Sequence, residues 1–278
     1  RKPASVLKIY SAAAALTYMD PTERFTTSAW VGVIEKSIVI RGSLDPWMSL
    51  SDSVAKKMGR TSIPRIEYNS LSALQEANPG SIRNSTIYYS DLYSQDVANI
   101  KAFFAKRGVN AAMKRVTSEK ALELSAEEIL TSQSPELQTM LAFALTWSDN
   151  LLAERMARLA AKSSGNEFND NGVAIAFATL LIEMGIDPSK IIVKDASGLS
   201  RENKITANVM AQLLYKIHSH PVLAKLIDGL PVGGETGTLR RRYVETTPDA
   251  VGLVKARSDG ACFRSPPIYQ RAISDRSP

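Results

Sequence analysis

Apolar residues recur at helical spacing through much of this chain, and short β-branched runs stand between them. Strands are expected at residues 30–34 and 37–40, as a hairpin, and at 87–89 and 191–193, the last one buried. Because strands and helices mix without regular βαβ alternation, the pattern favours an α+β fold over a doubly wound sheet. Helices are predicted over residues 5–18, 97–106, 135–147, 151–162, 172–184 and 206–217.

Residues at the ends of these helices agree with this assignment. Asp20-Pro21 is expected to end the first helix, since a residue before proline is pushed out of helical space. Ser134 is expected to cap the helix over 135–147, and Thr206 the helix over 206–217. Gly185 is expected to end the helix over 172–184.

Composition excludes several classes of protein. The 278 residues are 44% hydrophobic and 22% charged, which is typical of a globular chain with a real core. The longest apolar stretch, residues 173–182, is too short to span a bilayer. One cysteine, Cys262, excludes an intrachain disulfide framework and a cysteine-based zinc site, and two histidines are too few for a His-rich metal centre.

The net charge of +6 raises the question of a nucleic-acid partner. Residues 239–278 carry +4 of it and residues 1–238 only +2. A nucleic-acid-binding protein more often shows a basic stripe interleaved with aromatic residues on a folded face. We therefore expect no nucleic-acid partner, and Arg240, Arg241 and Arg242 are interpreted as a solvated turn.

Ser5 and Lys8 are the first candidates for chemistry. Their spacing of three places both side chains on one helix face, about 5–6 Å apart at Cβ. A serine hydroxyl becomes a nucleophile when a nearby base takes its proton, and burial gives a lysine that ability by lowering its pKa. The alternative is a capping serine with a solvated lysine one turn later.

Ser148 and Asn150 form a second candidate pair, between two predicted helices. Taken alone, they are better explained as a helix break with Asn150 as N-cap. Together with Ser5 and Lys8 they change the interpretation. Ser-x-x-Lys followed by Ser-Asp-Asn, in this order, is the beginning of the motif set of class A β-lactamases and penicillin-binding proteins.

Longer segments extend this similarity. The chain resembles the D-alanyl-D-alanine carboxypeptidase/endopeptidase family of class C low-molecular-mass penicillin-binding proteins, over blocks from residue 3 to about residue 256. The weakest coverage is residues 49–125, where the family carries a variable insertion. The blocks that carry the resemblance are residues 3–8, 24–27, 42–46, 134–135, 147–151, 195–201 and 230–239.

The resemblance implies a penicillin-binding-protein/β-lactamase-like transpeptidase domain, with a helical cluster and an antiparallel sheet. It would be a discontinuous serine peptidase domain of residues 1–29 and 126–260, interrupted by an inserted, strand-containing region at 30–125. Residues 261–278 would be an atypical tail, and the C-terminal strands of the family would be missing. The resemblance also implies an extracytoplasmic location, although no leader stands before Arg1.

The resemblance also assigns roles. Ser5 would attack the bond between the terminal D-alanines of a peptidoglycan stem peptide, Lys8 would accept its proton, Ser148 would relay that proton to the leaving amine, and Asn150 would orient the substrate amide. No metal or organic cofactor enters, and β-lactams would be covalent inhibitors. Carboxypeptidase and endopeptidase activity stay open, as does the oligomeric state. The substrate-binding residues would be Asp149, Arg257 and Ser258.

The third family motif departs from its pattern. Lys-Thr-Gly is expected after the run 252–256, where this chain has Arg257-Ser258-Asp259. A carboxylate at the glycine position would repel a substrate carboxylate. A reading frame shifted near Lys255 is the favoured explanation, over a divergent genuine ending. The alternative function is therefore an impaired or inactive penicillin-binding-protein remnant; a β-lactamase is the third option.

Overall fold

The computed structural model describes residues 1–241. The described residues fold into two compact units, one of residues 1–22 together with 137–241 and the other of residues 23–136. The first is called the helical unit and the second the sheet unit. The resemblance predicts domain borders at 29/30 and 125/126, and these borders stay a prediction.

The helical unit begins with a 3-10 turn, Ala4–Leu7, that leads into α1, Lys8–Tyr18. Residues 191–192 and 204–205 pair as a two-stranded antiparallel ladder. The remaining elements of this unit are α6 (Leu137–Trp147), α7 (Asn150–Ser163), α8 (Asp170–Glu183), β6 (Ile191–Ile192), β7 (Lys204–Ile205), α9 (Ala207–Ser219) and α10 (Lys225–Asp228).

Helix α1 lies in the middle of the helical unit. Every residue from Lys8 to Leu16 is buried, and α6, α7, α8 and α10 all pack against it. The small side chains of residues 12–15 let α7 approach α1 closely. Helix α7 also has buried small residues, namely Ala153, Ala157 and Ala160. An alanine-rich helix is therefore the rigid axis from which the side chains at its N-terminus project.

The predicted helices are confirmed, with shifts of a few residues at their ends. Thr206 caps α9, and Gly185 follows α8 with a φ of +71°. The predicted cap Ser134 is wrong, and so is the alternative interpretation of Asn150 as an N-cap. The Ser134 hydroxyl accepts from the Phe25 amide instead, so that α6 begins at Leu137, and the Asp149 carboxylate rather than Asn150 caps α7. The strand at 191–193 is two residues long, and Ile192 is exposed, so its predicted burial is wrong too.

The sheet unit contains a five-stranded sheet in the order β4-β3-β2-β1-β5. The predicted hairpin is confirmed, since β1 and β2 pair antiparallel. Strands β2, β3 and β4 run parallel, so this sheet is mixed and not the antiparallel one expected. The elements are β1 (Thr26–Gly32), β2 (Ser37–Arg41), α2 (Asp52–Met58), α3 (Ile63–Ala77), β3 (Asn84–Ser90), α4 (Ser94–Ala105), β4 (Asn110–Arg115), α5 (Ser118–Leu124) and β5 (Ser125–Gln133).

Strand β2 divides the core of the sheet unit into two layers. Ile38 and Ile40 point into the larger cluster, which holds buried side chains of α3 and α4. Val39 points to the opposite face and packs with Ala121 and Leu124 of α5. This is the two-residue alternation of a strand buried on both faces. The α+β class predicted from the sequence is confirmed.

Residues 42–46 follow the end of β2 and pass close to the chain at Asp91. A Cβ at Gly42 would lie 2.3 Å from the Asp91 carbonyl oxygen, so the chains approach too closely there for any other residue. Asp45 follows, fully buried, and its Oδ1 accepts from the Trp47 amide at 2.9 Å. Burial raises the pKa of the Asp45 carboxyl to about 6, and the Asp96 carboxylate adds to the rise.

Replacing Asp45 with asparagine is expected to remove a pH-dependent loss of stability. Because the native pKa lies above the unfolded value of 3.8, the native state holds more protons between about pH 4 and 6, and stability falls as the pH rises through that window. The difference in unfolding free energy between wild type and Asp45→Asn, measured with urea, should therefore change by roughly 2 kcal/mol from pH 4 to pH 7. Asp52→Asn, at a half-exposed ion pair with Arg65, is the control; parallel curves for Asp45→Asn would contradict the expectation.

Some predictions fall elsewhere. The described residues do not include Arg257, Ser258, the predicted frame shift near Lys255 or the tail 261–278. Within residues 1–241, none of the helices combines the length and the apolar character that a membrane crossing needs.

Candidate active site

Ser5 and Lys8 stand at the start of the buried helix α1. Ser5 belongs to the 3-10 turn, and Lys8 is the first residue of α1. The spacing of three brings Lys8 Nζ to 3.4 Å from Ser5 Oγ. The preceding Ala4 has a φ of +48°, a left-handed conformation that an L-residue adopts only at a cost of roughly 1–2 kcal/mol. The surrounding fold therefore holds the Ser5 backbone in one defined orientation.

Ser148 reaches the same point from the turn between α6 and α7. Its φ of +59° is again left-handed, and its Oγ donates to Ser5 Oγ at 2.8 Å. The turn is closed by the Asp149 amide, which donates to the Ala144 carbonyl, and by the Asp149 carboxylate, which caps α7. The structure thus brings the predicted site residues Ser5, Lys8 and Ser148 together.

Lys8 is nearly inaccessible, with 1% of its surface exposed. The alternative of a solvated lysine is therefore wrong. Its Nζ donates to three acceptors: Ser5 Oγ, Asn150 Oδ1 at 2.5 Å, and the Ser197 carbonyl oxygen at 2.7 Å. Burial lowers the pKa of Lys8 to about 8, although three nearby carboxylates act in the opposite direction.

These contacts can direct proton transfer. A neutral amine keeps two hydrogens and gains one lone pair. Asn150 Oδ1 and the Ser197 carbonyl can only accept, so they take the two hydrogens of the neutral Lys8 amine. The lone pair is then left facing Ser5 Oγ, the remaining neighbour. Geometry and pKa together suit Lys8 to act as a general base toward the Ser5 hydroxyl.

Asn150 and Asp149 occupy neighbouring positions with different contacts. Asn150, the first residue of α7, points its amide oxygen at Lys8. Asp149 Oδ1 accepts from the Leu152 amide at 3.0 Å, which is a helix-capping contact. The contacts that Asn150 and Asp149 are expected to make with a substrate stay predictions.

A loop that sequence reasoning left without a role completes the cluster. The 195–203 loop makes two hydrogen bonds with α1. The Ser197 carbonyl accepts from Lys8 Nζ, and the Ala196 carbonyl accepts from Ser11 Oγ at 2.7 Å. Asp195 folds the loop from inside: its Oδ1 accepts from the Gly198 amide at 2.6 Å and from Asn203 Nδ2 at 2.9 Å. The one available signal was the Asp-Ala-Ser-Gly string, typical of a turn around a fixed carboxylate.

Glu154 was also missed by the sequence analysis. It lies on α7 and its Oε1 accepts from the amides of Ala196 and Ser197. Its position four residues after Asn150 places both on one face of the helix, which was the available signal. In residues 1–241, no group of three or more His, Cys, Asp or Glu side chains could hold a metal ion.

Comparison with known proteins points to one family. The sequence model of the D-Ala-D-Ala carboxypeptidase 3 (S13) family matches residues 86–259, more than half of the chain. The match includes Ser148, Asn150 and Glu154, and Ser5 and Lys8 precede it. The chain is also 27% identical over 299 aligned positions to the carboxypeptidase DacB of Mycolicibacterium smegmatis, covering 92% of this chain and 65% of that protein. It thus spans just under two thirds of that relative's length.

Solved structures show the same fold. Penicillin binding protein 4 (dacB) of Haemophilus influenzae, complexed with a β-lactam, matches with a TM-score of 0.63 at 15% identity, over 90% of this chain and 76% of that one. A predatory peptidoglycan endopeptidase of Bdellovibrio bacteriovorus matches with a TM-score of 0.53 at 16% identity, over 87% of this chain and 70% of that one. Together they confirm the predicted penicillin-binding-protein fold.

Proposed function

Because the chain belongs to the D-Ala-D-Ala carboxypeptidase 3 (S13) family, we propose that it is a serine-type D-Ala-D-Ala peptidase that acts through an acyl-enzyme on Ser5. Its substrates are peptidoglycan stem peptides, and its place of action is the cell envelope, outside the cytoplasm. The M. smegmatis relative is named a carboxypeptidase and the B. bacteriovorus structure an endopeptidase, and the same chemistry serves both.

The first half of the reaction transfers an acyl group. Ser5 Oγ attacks the carbonyl carbon between the two D-alanines while its proton passes to Lys8 Nζ. The oxyanion that forms is held by backbone N–H groups, that of Ser5 among them. The C–N bond then breaks, and the leaving amine receives a proton by way of Ser148, which restores the neutral lysine.

The second half releases the product. Water attacks the ester carbonyl, Lys8 accepts the water proton, and the C–O bond to Ser5 breaks. Ser5 Oγ regains a proton and the stem peptide leaves with a carboxylate. A β-lactam carbonyl enters the same first step, and the ring opens to leave the penicilloyl group on Ser5.

One observation carries this proposal. Ser5 Oγ lies 2.8 Å from Ser148 Oγ and 3.4 Å from Lys8 Nζ, and the pKa of that lysine is lowered to about 8 by burial. A nucleophile, a base whose pKa is lowered by burial and a proton relay are thus within reach of one another. The cluster needs no metal for these steps.

Intact-mass measurement after incubation with benzylpenicillin tests the proposal. We expect wild type to gain the mass of one penicillin molecule, and Ser5→Ala to gain none, because the bond-forming oxygen is absent. Ser219→Ala, at an exposed hydroxyl bonded to its own helix, is the matched control and should label as wild type does. Release of D-alanine from a synthetic stem pentapeptide should follow the same pattern.

Three outcomes would contradict the proposal. Folded wild type that gains no adduct would instead favour the inactive remnant that the altered third motif suggests. An adduct that persists in Ser5→Ala would show that another residue is acylated. Rapid release of the penicilloyl group would identify the third option, a β-lactamase.

A further inference from the structure

Residues 196 and 197 of the 195–203 loop lie between Glu154 and the catalytic lysine, and Glu154 holds them from the side of α7. A single oxygen, Oε1, accepts from the Ala196 amide at 3.0 Å and from the Ser197 amide at 2.8 Å. Two consecutive amides that converge on one carboxylate oxygen fix the orientation of both peptide groups. Charge-assisted hydrogen bonds of this kind are stronger than those between neutral groups.

The opposite side of the same two residues faces α1. The Ala196 carbonyl accepts from Ser11 Oγ, and the Ser197 carbonyl accepts from Lys8 Nζ at 2.7 Å. Residues 196 and 197 thus bridge α7 and α1, with amides toward Glu154 and carbonyls toward the helix that bears the base. Ser197 therefore links Glu154 to Lys8 by hydrogen bonds, through its amide on one side and its carbonyl on the other.

We propose that Glu154 is a positioning residue for the general base: it holds the Ser197 carbonyl against Lys8 and keeps a negative charge beside the lysine, so that the amine is aimed at Ser5. The catalytic part of this inference rests on the proposed function. The part that concerns the state of Lys8 does not, because it can be measured on the free protein.

The charges around Lys8 support this role. Burial lowers its pKa, and Glu154 is the strongest of the groups that raise it again, ahead of Asp195 and Asp149. Glu154 and Asp149 belong to α7 and its cap, and Asp195 to the 195–203 loop; in the described part of the chain these three act on the lysine from the elements packed around it. Glu154 thus opposes the effect of burial and helps to keep the pKa of Lys8 at about 8.

Glu154→Gln separates charge from shape, because the amide oxygen can still accept from both backbone amides. Without the negative charge, the protonated lysine is less stable, so the titration midpoint of Lys8 should fall from about 8 by roughly one pH unit. The readout is the ¹³Cε chemical shift of Lys8 against pH, in protein with ¹³C-labelled lysine, assigned by its loss in Lys8→Arg. The rising limb of penicillin acylation should move to lower pH by the same amount.

Glu154→Ala removes charge and acceptor together. The two amides lose their partner, the Ser197 carbonyl is no longer held, and acylation at its optimal pH should fall roughly tenfold or more. Glu154→Gln should restore that rate to near the wild-type value. Asp170→Asn, which breaks an exposed ion pair with Arg158 between α7 and α8, is the control and should change neither quantity.

The outcomes are distinguishable. A Lys8 midpoint that is the same in Glu154→Gln and wild type would overturn the inference, as would equal optimal rates in the Ala and Gln variants. If wild type forms no penicillin adduct, the proposed function fails, while the Lys8 titration in Glu154→Gln still decides whether Glu154 controls the lysine.

Discussion

Lys8→Arg is expected to slow acylation by benzylpenicillin by roughly 10²–10⁴-fold at pH 8, the usual contribution of a general base. Arginine keeps the positive charge and can still donate hydrogen bonds, but it does not lose its proton in this pH range. The charge seen by a substrate carboxylate is therefore preserved while the base is removed. Stopped-flow or quenched intact-mass kinetics over minutes would measure the ratio of the two rates.

The pH profile of wild type supplies the second half of this prediction. The reactive form of Lys8 is the neutral amine, and its fraction grows as the pH rises through the pKa of about 8. Acylation should thus rise about tenfold per pH unit below pH 8 and level off above it. Lys162→Arg, at an exposed lysine in the last turn of α7, is the matched control; an equal loss there, or a flat wild-type profile, would argue against Lys8 as the base.

Helical spacing and turn chemistry were enough to predict most of the helical unit. Ser-x-x-Lys placed two reactive groups on one face because the period of a helix is known in advance. The small-residue run of α1 did not reveal that the helix would be enclosed by four others. Burial of Lys8, which lowers the pKa of its amine, is a tertiary property that comes from those neighbours.

The sheet unit was harder to predict because its strands pair across long stretches of sequence. Strand β5 pairs with β1 although about ninety residues separate them, and it is largely polar, since one side of it is exposed. Strand β4 carries lysine and arginine residues at its exposed edge position, which weakens the apolar alternation that a search relies on. Pairing, more than local propensity, makes strands of these segments.

The parts of the site that escaped prediction act through the backbone. Ser148 and Ala4 adopt left-handed φ values, which cannot be predicted from their residue types. Glu154 accepts from the backbone amides of Ala196 and Ser197, and Lys8 donates to the backbone carbonyl of Ser197, so these contacts depend on main-chain groups that no residue type marks in the sequence. Sequence patterns identify reactive side chains, whereas the groups that aim them are defined by where the chain passes.

Gly198→Ala is expected to damage the site more than any other single methyl group we can place in it. A Cβ at this position would lie 1.8 Å from the Ala4 carbonyl oxygen, and the φ of Gly198 is +85°. The oxygen must retreat by more than 1 Å to reach even a tight contact, and it belongs to the peptide group that precedes Ser5. Because misplacement of a reacting group by about 1 Å can cost roughly 100-fold in rate, we expect a loss of that size in penicillin acylation.

Gly165→Ala isolates the steric part of this effect. Gly165 has a nearly equal φ of +81°, but a Cβ there meets nothing within 4 Å. Both variants bear the backbone cost of a left-handed alanine, roughly 1–2 kcal/mol in the free energy of unfolding, and Gly198→Ala alone displaces Ala4. Thermal unfolding should therefore show a moderate loss for Gly165→Ala and a larger one for Gly198→Ala, with acylation retained only in the former. Equal acylation rates in the two variants would show that the contact between the 195–203 loop and Ala4 does not hold Ser5 in place.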